Sequence, residues 1–328
     1  MGKALNFGLT LSSYYYSRLT GSSAHWGKPL SLSLEPTTAC NLRCPECPSG
    51  LRSFKRPTGK MNLEMLDKIL DDVRSHCLYI NFYFQGEPYL HPQFLEMVAR
   101  CKKAGIYSAT STNAHFLNSE KAKATVESGL DRLIISIDGT DQGTYESYRK
   151  EGSLDKVIEG AKNIIHWKKE LKSNTPHVIF QFLVVKPNEH QIEEVQALGK
   201  EIGADEVRLK TAQIYDFENG SDLIPSIDKY SRYTQKPDGK WAIKNPLDDH
   251  CWRMWSGSVI TWDGRVVPCC FDKDAEHAMG NLNDKNFSEI WNSDAYQNFR
   301  KSILISRSEI EMCKNCSEGT TVWADSQS

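Results

Sequence analysis

Residues 31–47 read SLSLEPTTACNLRCPEC, in which a short strand pattern runs directly into three closely spaced cysteines. Leu30–Glu35 alternates apolar and polar side chains, the period of a strand with one buried face. Cys40, Cys44 and Cys47 follow with C-x3-C-x2-C spacing. Three thiolates on one tight loop can bind three irons of a 4Fe–4S cube, whereas ordinary electron-transfer clusters take four cysteines. The spacing therefore predicts an iron left open for a substrate or a cofactor, like the open position of catalytic zinc.

Short β-rich segments alternate with helical patterns from Leu30 to Leu209. The predicted strands are Leu30–Glu35, Leu78–Phe84, Ile106–Ser111, Leu133–Ile137, Val178–Val185 and Glu206–Leu209. Five helices are predicted between these strands. The first is capped by Asn62, the second runs from Pro92 to Gly105, and the third and fourth cover Ser119–Ser128 and Ser153–Leu171. The fifth begins with a capping box at Asn188 and Gln191 and ends at Gly203. This alternation indicates an α/β protein with parallel strands and covering helices. Because a complete eight-stranded barrel takes about 250 residues, the shorter segment favours a partial (β/α)6 barrel.

Changes in composition divide the chain further. The predicted parts are an N-terminal extension at 1–29, the partial barrel at 30–210, a connector at 211–250 and a small α+β domain at 251–328. The connector is polar and carries turn formers such as Asn219-Gly220, so we expect a linker or a substrate-facing loop region rather than a core element. In the last part, Asp263-Gly264 predicts a hairpin, and Phe287–Ser302 is expected to form a helix.

The composition is that of a soluble globular protein. The 328 residues include 40 basic and 42 acidic side chains, a net charge of −2, which argues against nucleic acid or an acidic membrane surface as a partner. Apolar runs are far shorter than the roughly 20 residues of a membrane span, and the N-terminus lacks the apolar stretch of a signal peptide. We therefore expect a cytoplasmic protein, in which ten cysteines indicate metal binding more than disulfides.

The string CNLRCPEC resembles the signature of the radical S-adenosylmethionine superfamily. The resemblance implies that Cys40, Cys44 and Cys47 bind a 4Fe–4S cluster, whose open iron chelates the amine and carboxylate of S-adenosylmethionine. Zinc is the alternative, but it needs a fourth ligand, and the nearby histidines are poorly placed to supply one. Glu46 departs from the pattern, because the superfamily commonly has an aromatic residue before the third cysteine.

Later strand ends resemble further motifs of that superfamily. The resemblance assigns cofactor binding to Gln85, Gly86, Glu87, Pro88, Thr112, Asn113, Ser136, Asp138 and Arg149. Glu87 would bind the amino group of S-adenosylmethionine, Ser136 the ribose and Arg149 the carboxylate, to which a guanidinium offers a bidentate fork. Gln85 and Ala114 each stand where the motif has a glycine.

Five cysteines near the end of the sequence compete for four places, namely Cys251, Cys269, Cys270, Cys313 and Cys316. Ligand chemistry alone allows zinc or a 4Fe–4S cluster, since both accept four thiolates. The C-x(9–15)-G-x4-C opening followed by C-x2-C resembles the SPASM/twitch extension of radical enzymes. The resemblance implies an auxiliary 4Fe–4S cluster on Cys251, Cys269, Cys313 and Cys316, in the single-cluster twitch form because too few cysteines remain for a second cluster. Cys270 is expected on the other face of its strand.

The resemblance also implies a reaction. Such an enzyme reductively cleaves S-adenosylmethionine to a 5′-deoxyadenosyl radical, which abstracts hydrogen from a substrate, and it takes its electron from a flavodoxin- or ferredoxin-type donor. An auxiliary cluster can accept the electron left on the substrate, which favours a two-electron, dehydrogenase-like oxidation of a small molecule. One alternative is a maturase that epimerises or cross-links a peptide or protein. The other is a non-catalytic iron–sulfur electron-transfer protein.

No catalytic residue is assigned from the sequence. Asp216, Glu218 and Asp222 of the connector are candidates for the group that takes a proton from the substrate, since that region is expected to face the cavity. The default interpretation of these carboxylates is that they are solvated loop side chains.

Overall fold

The computed structural model describes residues 2–244 and 247–316. Contacts divide this part of the chain into two compact units. The first unit comprises the residues up to Ala39 together with Phe54–Thr110 and Leu247–Cys316. The second comprises Cys40–Ser53 and the described residues from Ser111 to Lys244.

The secondary structure alternates strands and helices as the sequence predicts. The strands are β1 (Ser31–Leu34), β2 (Tyr79–Asn81), β3 (Tyr107–Thr112), β4 (Arg132–Ser136), β5 (His177–Val184), β6 (Glu206–Thr211), β7 (Tyr233–Gln235), β8 (Trp241–Ile243), β9 (Gly257–Ile260), β10 (Arg265–Val267) and β11 (Gly280–Asn281). The α-helices are α1 (Lys3–Thr20), α2 (Pro48–Leu51), α3 (Leu63–Val73), α4 (Phe94–Lys103), α5 (Ser119–Glu127), α6 (Gln142–Tyr148), α7 (Leu154–Glu170), α8 (Ile192–Ile202), α9 (Arg253–Ser256), α10 (Phe287–Trp291) and α11 (Asp294–Ser306).

In the first unit, β1 is parallel to β2 on one side and to β9 on the other. Strand β3 extends the parallel pairing beyond β2, while β10 is antiparallel to both β9 and β11. The strand order is β11-β10-β9-β1-β2-β3. Strand β9 thereby joins Gly257–Ile260 to the first strand of the sheet, and α1 packs on α9.

In the second unit, β4, β5 and β6 are parallel and adjacent. Helix α7 packs on α5, and α8 packs on β5 and β6. Strands β7 and β8 form an antiparallel hairpin within residues 211–250. Phe217, Ile224 and Tyr233 of this segment are buried in one apolar cluster with Cys44. The expectation that the connector contributes no core element is therefore wrong for these three side chains.

The sequence predicts the start of a helix correctly where the polar side chain caps that helix, and incorrectly where the side chain has another hydrogen-bond partner. Asn62 accepts a hydrogen bond from Met65 N and begins α3 as predicted. Asn188 does not cap α8; its amide donates to Asp138 O and Leu183 O, so it closes the turn after β5 instead. The helix expected over Phe287–Ser302 is two helices, because Ser293 caps a second one, α11.

The α/β fold with parallel strands predicted from the sequence is confirmed. The predicted hairpin around Asp263-Gly264 is also present, since β9 and β10 pair antiparallel on either side of it. Across residues 2–244 and 247–316, no helix is both long and apolar enough to cross a membrane.

Candidate cluster and cofactor sites

The loop that carries Cys40, Cys44 and Cys47 lies in the second unit and packs against an apolar cluster. Cys44 is buried, and Cys40 and Cys47 are half-buried. The buried members of the cluster include Leu42, Tyr148, Val185, Ala212, Ile214, Phe217, Ile224 and Tyr233. The backbone N–H of Leu42 points at Cys40 Sγ, at an N···S distance of 3.5 Å. Thiols packed against apolar side chains, with a backbone N–H directed at one sulfur, suit an iron–sulfur cluster.

Two of the predicted cofactor residues lie directly beside this loop. Arg149 Nη1 is 3.8 Å from Cys44 Sγ, and Arg149 Nε donates to Asp138 Oδ2. Burial raises the pKa of the Cys44 thiol, and the Arg149 charge opposes that rise. The backbone N–H of Arg43 donates to Lys150 O at 3.0 Å, so the chain after α6 runs along the cysteine loop. The structure therefore brings Asp138 and Arg149 to Cys44.

Asp138 is held rigidly at the end of β4. Its Oδ1 accepts from Leu183 N at 2.7 Å, and its backbone carbonyl accepts from Asn188 Nδ2 at 3.0 Å. The Asp138 side chain is fully buried, and its ion pair with Arg149 leaves the guanidinium in one fixed orientation. Asp138 thus fixes the position of Arg149 beside Cys44.

The end of β3 also reaches the cysteine loop. Asn113 Nδ2 donates to Asn41 Oδ1 at 2.8 Å, and Asn41 is the residue that directly follows Cys40. Thr112 Oγ1 accepts from Ala114 N at 3.0 Å and closes the turn. Ala114 has φ +63°, the left-handed region, which explains on physical grounds why a glycine suits this position. Ser136 is buried at the end of β4.

The loop after β2 belongs to the first unit. Gly86 has φ +77°, and a Cβ there would collide with the carbonyl oxygen of Thr37, so the close approach requires glycine. Glu87 N donates to Ala39 O at 2.7 Å, and Glu87 Oε1 accepts from Tyr89 N at 3.2 Å. Gln85 and Pro88 are buried in the same loop. The Gly86-Glu87 segment is therefore fixed to the residue that directly precedes Cys40.

The C-terminal cysteines lie in the first unit and are buried, except for Cys270. Cys251 and Cys269 share an apolar cluster with Met254, Trp255 and Ile303. The Cys313–Cys316 turn is closed by a hydrogen bond from Cys316 N to Cys313 O at 3.0 Å. Burial raises the pKa of Cys313 to about 11, so the thiol would need a metal to lose its proton near neutral pH.

Arg307 contacts one of these thiols directly. Its Nη2 donates to Cys316 Sγ at 3.1 Å. Burial works to lower the pKa of Arg307, but the charges of Cys316, Cys251 and Cys313 outweigh it and the pKa is raised. Another nitrogen of the same guanidinium donates to His250 O, so Arg307 contacts both the Cys313–Cys316 turn and the residue before Cys251, more than sixty positions apart in the sequence.

Cys269 and Cys270 differ from the expected arrangement. Strand β10 ends at Val267, so neither cysteine lies in a strand and the alternation of strand faces does not separate them. A hydrogen bond joins their thiols and helps to raise the pKa of Cys269. Cys269 is buried with Cys251, whereas Cys270 is half-buried at the edge of that cluster.

The donor geometry bears on which metal these sulfurs suit. Among the described residues, no three His, Cys, Asp or Glu side chains are arranged to chelate a single metal ion. A mononuclear zinc site needs four ligands pointing at one centre. The thiolates of a 4Fe–4S cluster each bind a separate iron, so they surround a volume rather than a point.

Some residues at these sites carry no sequence signal. Tyr14 of α1 is buried against Trp252 and Trp255, with ring centroids 5.2 and 5.6 Å apart, beside Cys251. Arg307 had no signal either. The connector carboxylates Asp216, Glu218 and Asp222 are exposed, as the default interpretation holds.

Comparison with protein families identifies the superfamily. The profile of the Radical SAM superfamily matches residues 34–199, about half of the chain. The chain belongs to the radical SAM superfamily. The profile of the SPASM iron–sulfur cluster-binding domain matches residues 251–317. This radical SAM enzyme therefore uses S-adenosylmethionine with a 4Fe–4S cluster and has an auxiliary iron–sulfur site.

Curated relatives of this radical SAM enzyme match over nearly the whole chain. A tungsten-containing aldehyde ferredoxin oxidoreductase cofactor-modifying protein of Pyrococcus furiosus is 26% identical over 320 residues, covering 87% of this chain and 86% of its own. The PqqA peptide cyclase of Gluconobacter oxydans is 25% identical over 314 residues, covering 90% and 84%.

Solved structures share the fold of this radical SAM enzyme. BtrN in complex with AdoMet and 2-DOIA has a TM-score of 0.54 at 17% identity, covering 89% of this chain and 94% of that chain. Native anSMEcpe with bound AdoMet has a TM-score of 0.61 at 19% identity, covering 89% and 91%.

Proposed function

We propose that this radical SAM enzyme oxidises an organic substrate by two electrons, using its auxiliary 4Fe–4S cluster as an electron acceptor. The observation that carries the proposal is that Arg307 hydrogen-bonds to Cys316 Sγ and to the carbonyl of His250, which directly precedes Cys251, while Cys251 and Cys269 share one buried cluster. We assign the ligands as Cys251, Cys269, Cys313 and Cys316. Four thiolates occupy every iron of a cube, so no iron is left to bind a substrate. The roles that remain for this cluster are to accept an electron or to shape the cavity floor, and the proposal takes the first.

We assign the other cluster to Cys40, Cys44 and Cys47, with S-adenosylmethionine on its open iron. When bound, the cofactor supplies the radical that abstracts hydrogen. The side chains assigned to bind it are Glu87, whose carboxylate would suit an ammonium group, and Arg149, whose guanidinium, held by Asp138, would suit a carboxylate. The remaining residues assigned to the cofactor are Gln85, Gly86, Pro88, Thr112, Asn113 and Ser136.

The substrate class we favour is a small molecule such as an alcohol or amine. A peptide is the second candidate, because the PqqA peptide cyclase of Gluconobacter oxydans aligns with 90% of this chain. In this proposal, 30–210 is the catalytic domain, 211–250 the connector, 251–328 the auxiliary-cluster domain and 1–29 an extension. A flavodoxin- or ferredoxin-type protein supplies the first electron. A cytoplasmic location belongs to the proposal, since cysteines that ligate iron must be kept reduced.

Counting electrons tests the oxidation. Reductive cleavage of S-adenosylmethionine consumes one electron, and oxidation of the substrate radical returns one, with the substrate proton released to solvent. We therefore expect more than one product per electron supplied when reductant is limiting. The measurement is product against titrated dithionite under anaerobic conditions, with small-molecule and peptide substrates assayed separately. If the ratio of product to electrons supplied never exceeds one, the result would contradict the oxidation and favour a reaction that consumes the electron from the donor.

Substitution of Glu87 by Gln tests the cofactor assignment. The change removes the negative charge but keeps an oxygen that can accept from Tyr89 N, so the local turn should survive. Loss of a charge-assisted hydrogen bond, worth about 1.5–3 kcal/mol, should weaken binding of S-adenosylmethionine roughly ten- to hundredfold at unchanged iron content. Equilibrium dialysis measures the affinity. Glu96→Gln on the exposed surface of α4 is the matched control, and equal affinities in the two variants would contradict the assignment.

A further inference from the structure

Arg307 hydrogen-bonds to Cys316 and to His250, the residue that directly precedes Cys251. We propose that Arg307 is a positioning residue that joins the Cys251 segment to the Cys313–Cys316 turn and raises the reduction potential of the auxiliary cluster. The inference rests on the ligand set proposed above.

The contacts of Arg307 span two distant parts of the chain. Nη1 donates to His250 O at 3.0 Å, immediately before Cys251. Nη2 donates to Cys316 Sγ at 3.1 Å. The backbone N–H donates to Asp249 Oδ1 at 2.8 Å, which fixes the start of the side chain. One planar guanidinium thus sets the distance between a segment at 249–251 and a turn at 313–316, since its fork geometry is rigid.

The surroundings of this guanidinium make its charge effective. Arg307 is 2% exposed, and Cys251, Cys313 and Cys316 are 6%, 7% and 6% exposed. Charges that are removed from water interact more strongly than exposed ones, because the local dielectric is low. Taking a cation out of water is costly, and an anionic group beside it offsets that cost. A cluster with four thiolate ligands is such an anionic group.

The same contacts act on the cluster's affinity for an electron. Reduction adds one electron to the cluster, breaks no bond and moves no proton, so the cluster gains one negative charge. A buried cation and an N–H···S hydrogen bond both stabilise the more negative state. Arg307 should therefore make the auxiliary cluster a better acceptor, which is the direction required for it to take an electron from a substrate radical.

Arg300 offers a matched comparison in the same part of the chain. It is fully buried like Arg307, but Nε donates to Met254 O at 3.0 Å and both Nη atoms to Trp291 O at 3.4 Å. Its guanidinium also lies over the rings of Trp291 and Tyr296, at 4.5 and 4.8 Å. These contacts are with carbonyls and aromatic rings, so Arg300 has a structural role.

The test uses the full chain with Cys40, Cys44 and Cys47 replaced by Ala, so that only the auxiliary cluster contributes to the spectrum. After anaerobic reconstitution, redox titration followed by electron paramagnetic resonance gives the midpoint potential. Arg307→Gln should make reduction at least tenfold less favourable, a downward shift of about 59 mV for one electron. Arg307→Lys keeps the positive charge but loses the planar guanidinium, so the downward shift in midpoint potential should be smaller in this variant. Arg300→Lys should lower the melting temperature and leave the potential unchanged.

Two outcomes are decisive against the inference. Unchanged potentials in both Arg307 variants would overturn it, since a purely structural residue alters stability alone. If Arg307→Gln does not retain iron, an unchanged potential in Arg307→Lys overturns it equally. Cys316→Ala in the same background separates this failure from that of the ligand set. If the Cys316→Ala variant keeps the spectroscopic signal of the auxiliary cluster, the ligand set is wrong. If that variant loses the signal and the cluster in Arg307→Gln has an unchanged midpoint potential, only the role of Arg307 is wrong.

Discussion

Replacing Cys313 and Cys316 together by Ala should stop formation of the oxidised product while cleavage of S-adenosylmethionine continues. The two cysteines supply half of the assigned auxiliary ligands, and a cluster that loses two of four thiolates does not assemble. Metal binding is coupled to local folding, so the segment around Cys313–Cys316 should also loosen. The β1–β9 pairing is made by backbone hydrogen bonds at Gly257–Ile260 and does not depend on these thiols, so the strand that leads to Cys40 should persist.

The measurement for this double variant is the amount of 5′-deoxyadenosine and of oxidised product, with iron content. Cys269→Ala should lose the auxiliary cluster, whereas Cys270→Ala should keep it. A cluster lost in Cys270→Ala and kept in Cys269→Ala would show that the ligand is Cys270, to which Cys269 is hydrogen-bonded. Full product from the double variant would make the auxiliary cluster structural and favour a redox-neutral reaction.

The parts of the fold that the sequence predicts are those with a local cause. The alternation that predicts a strand at Leu30–Glu35 is read within a few residues, and β1 is found there. The Asn62 cap is equally local. Asn188 shows the limit of this reasoning, because the same side-chain chemistry also bonds to Asp138 and Leu183, and only the tertiary structure decides between the two. The β1–β9 pairing joins residues more than two hundred positions apart and has no local signal.

The candidate sites divide in the same way. The spacing of the cysteines predicts the ligands of each iron–sulfur cluster. The thiols that bind one cluster must either lie close together in the sequence or lie on segments that face each other in the fold. Glu46 shows what spacing does not reveal: its Oε2 accepts from Tyr215 N at 2.8 Å, which attaches the cysteine loop to the connector. That contact, like those of Tyr14 and Arg307, joins residues whose proximity arises only when the chain is folded.

Replacing Cys40, Cys44 and Cys47 together by Ala should abolish cleavage of S-adenosylmethionine completely. The wild-type chain should bind about eight irons and the triple variant about four, because each 4Fe–4S cluster holds four. The loss of activity should exceed that of any single cofactor-binding variant, since the open iron itself disappears with the cluster. Cys44 packs among apolar side chains such as Leu42 and Val185, so an apolar Ala leaves no polar group buried there.

The measurement is iron per chain after anaerobic reconstitution, together with 5′-deoxyadenosine formed after reduction. Cys101→Ala is the control, because Cys101 is fully buried on α4 among Phe94 and Val98 and should change neither quantity. Stoichiometric zinc without iron in anaerobically purified protein would contradict the cluster assignment at that site. Residual cleavage in the triple variant would show that the cofactor binds elsewhere, since with three ligands removed the loop at 40–47 retains no thiolate to hold an iron.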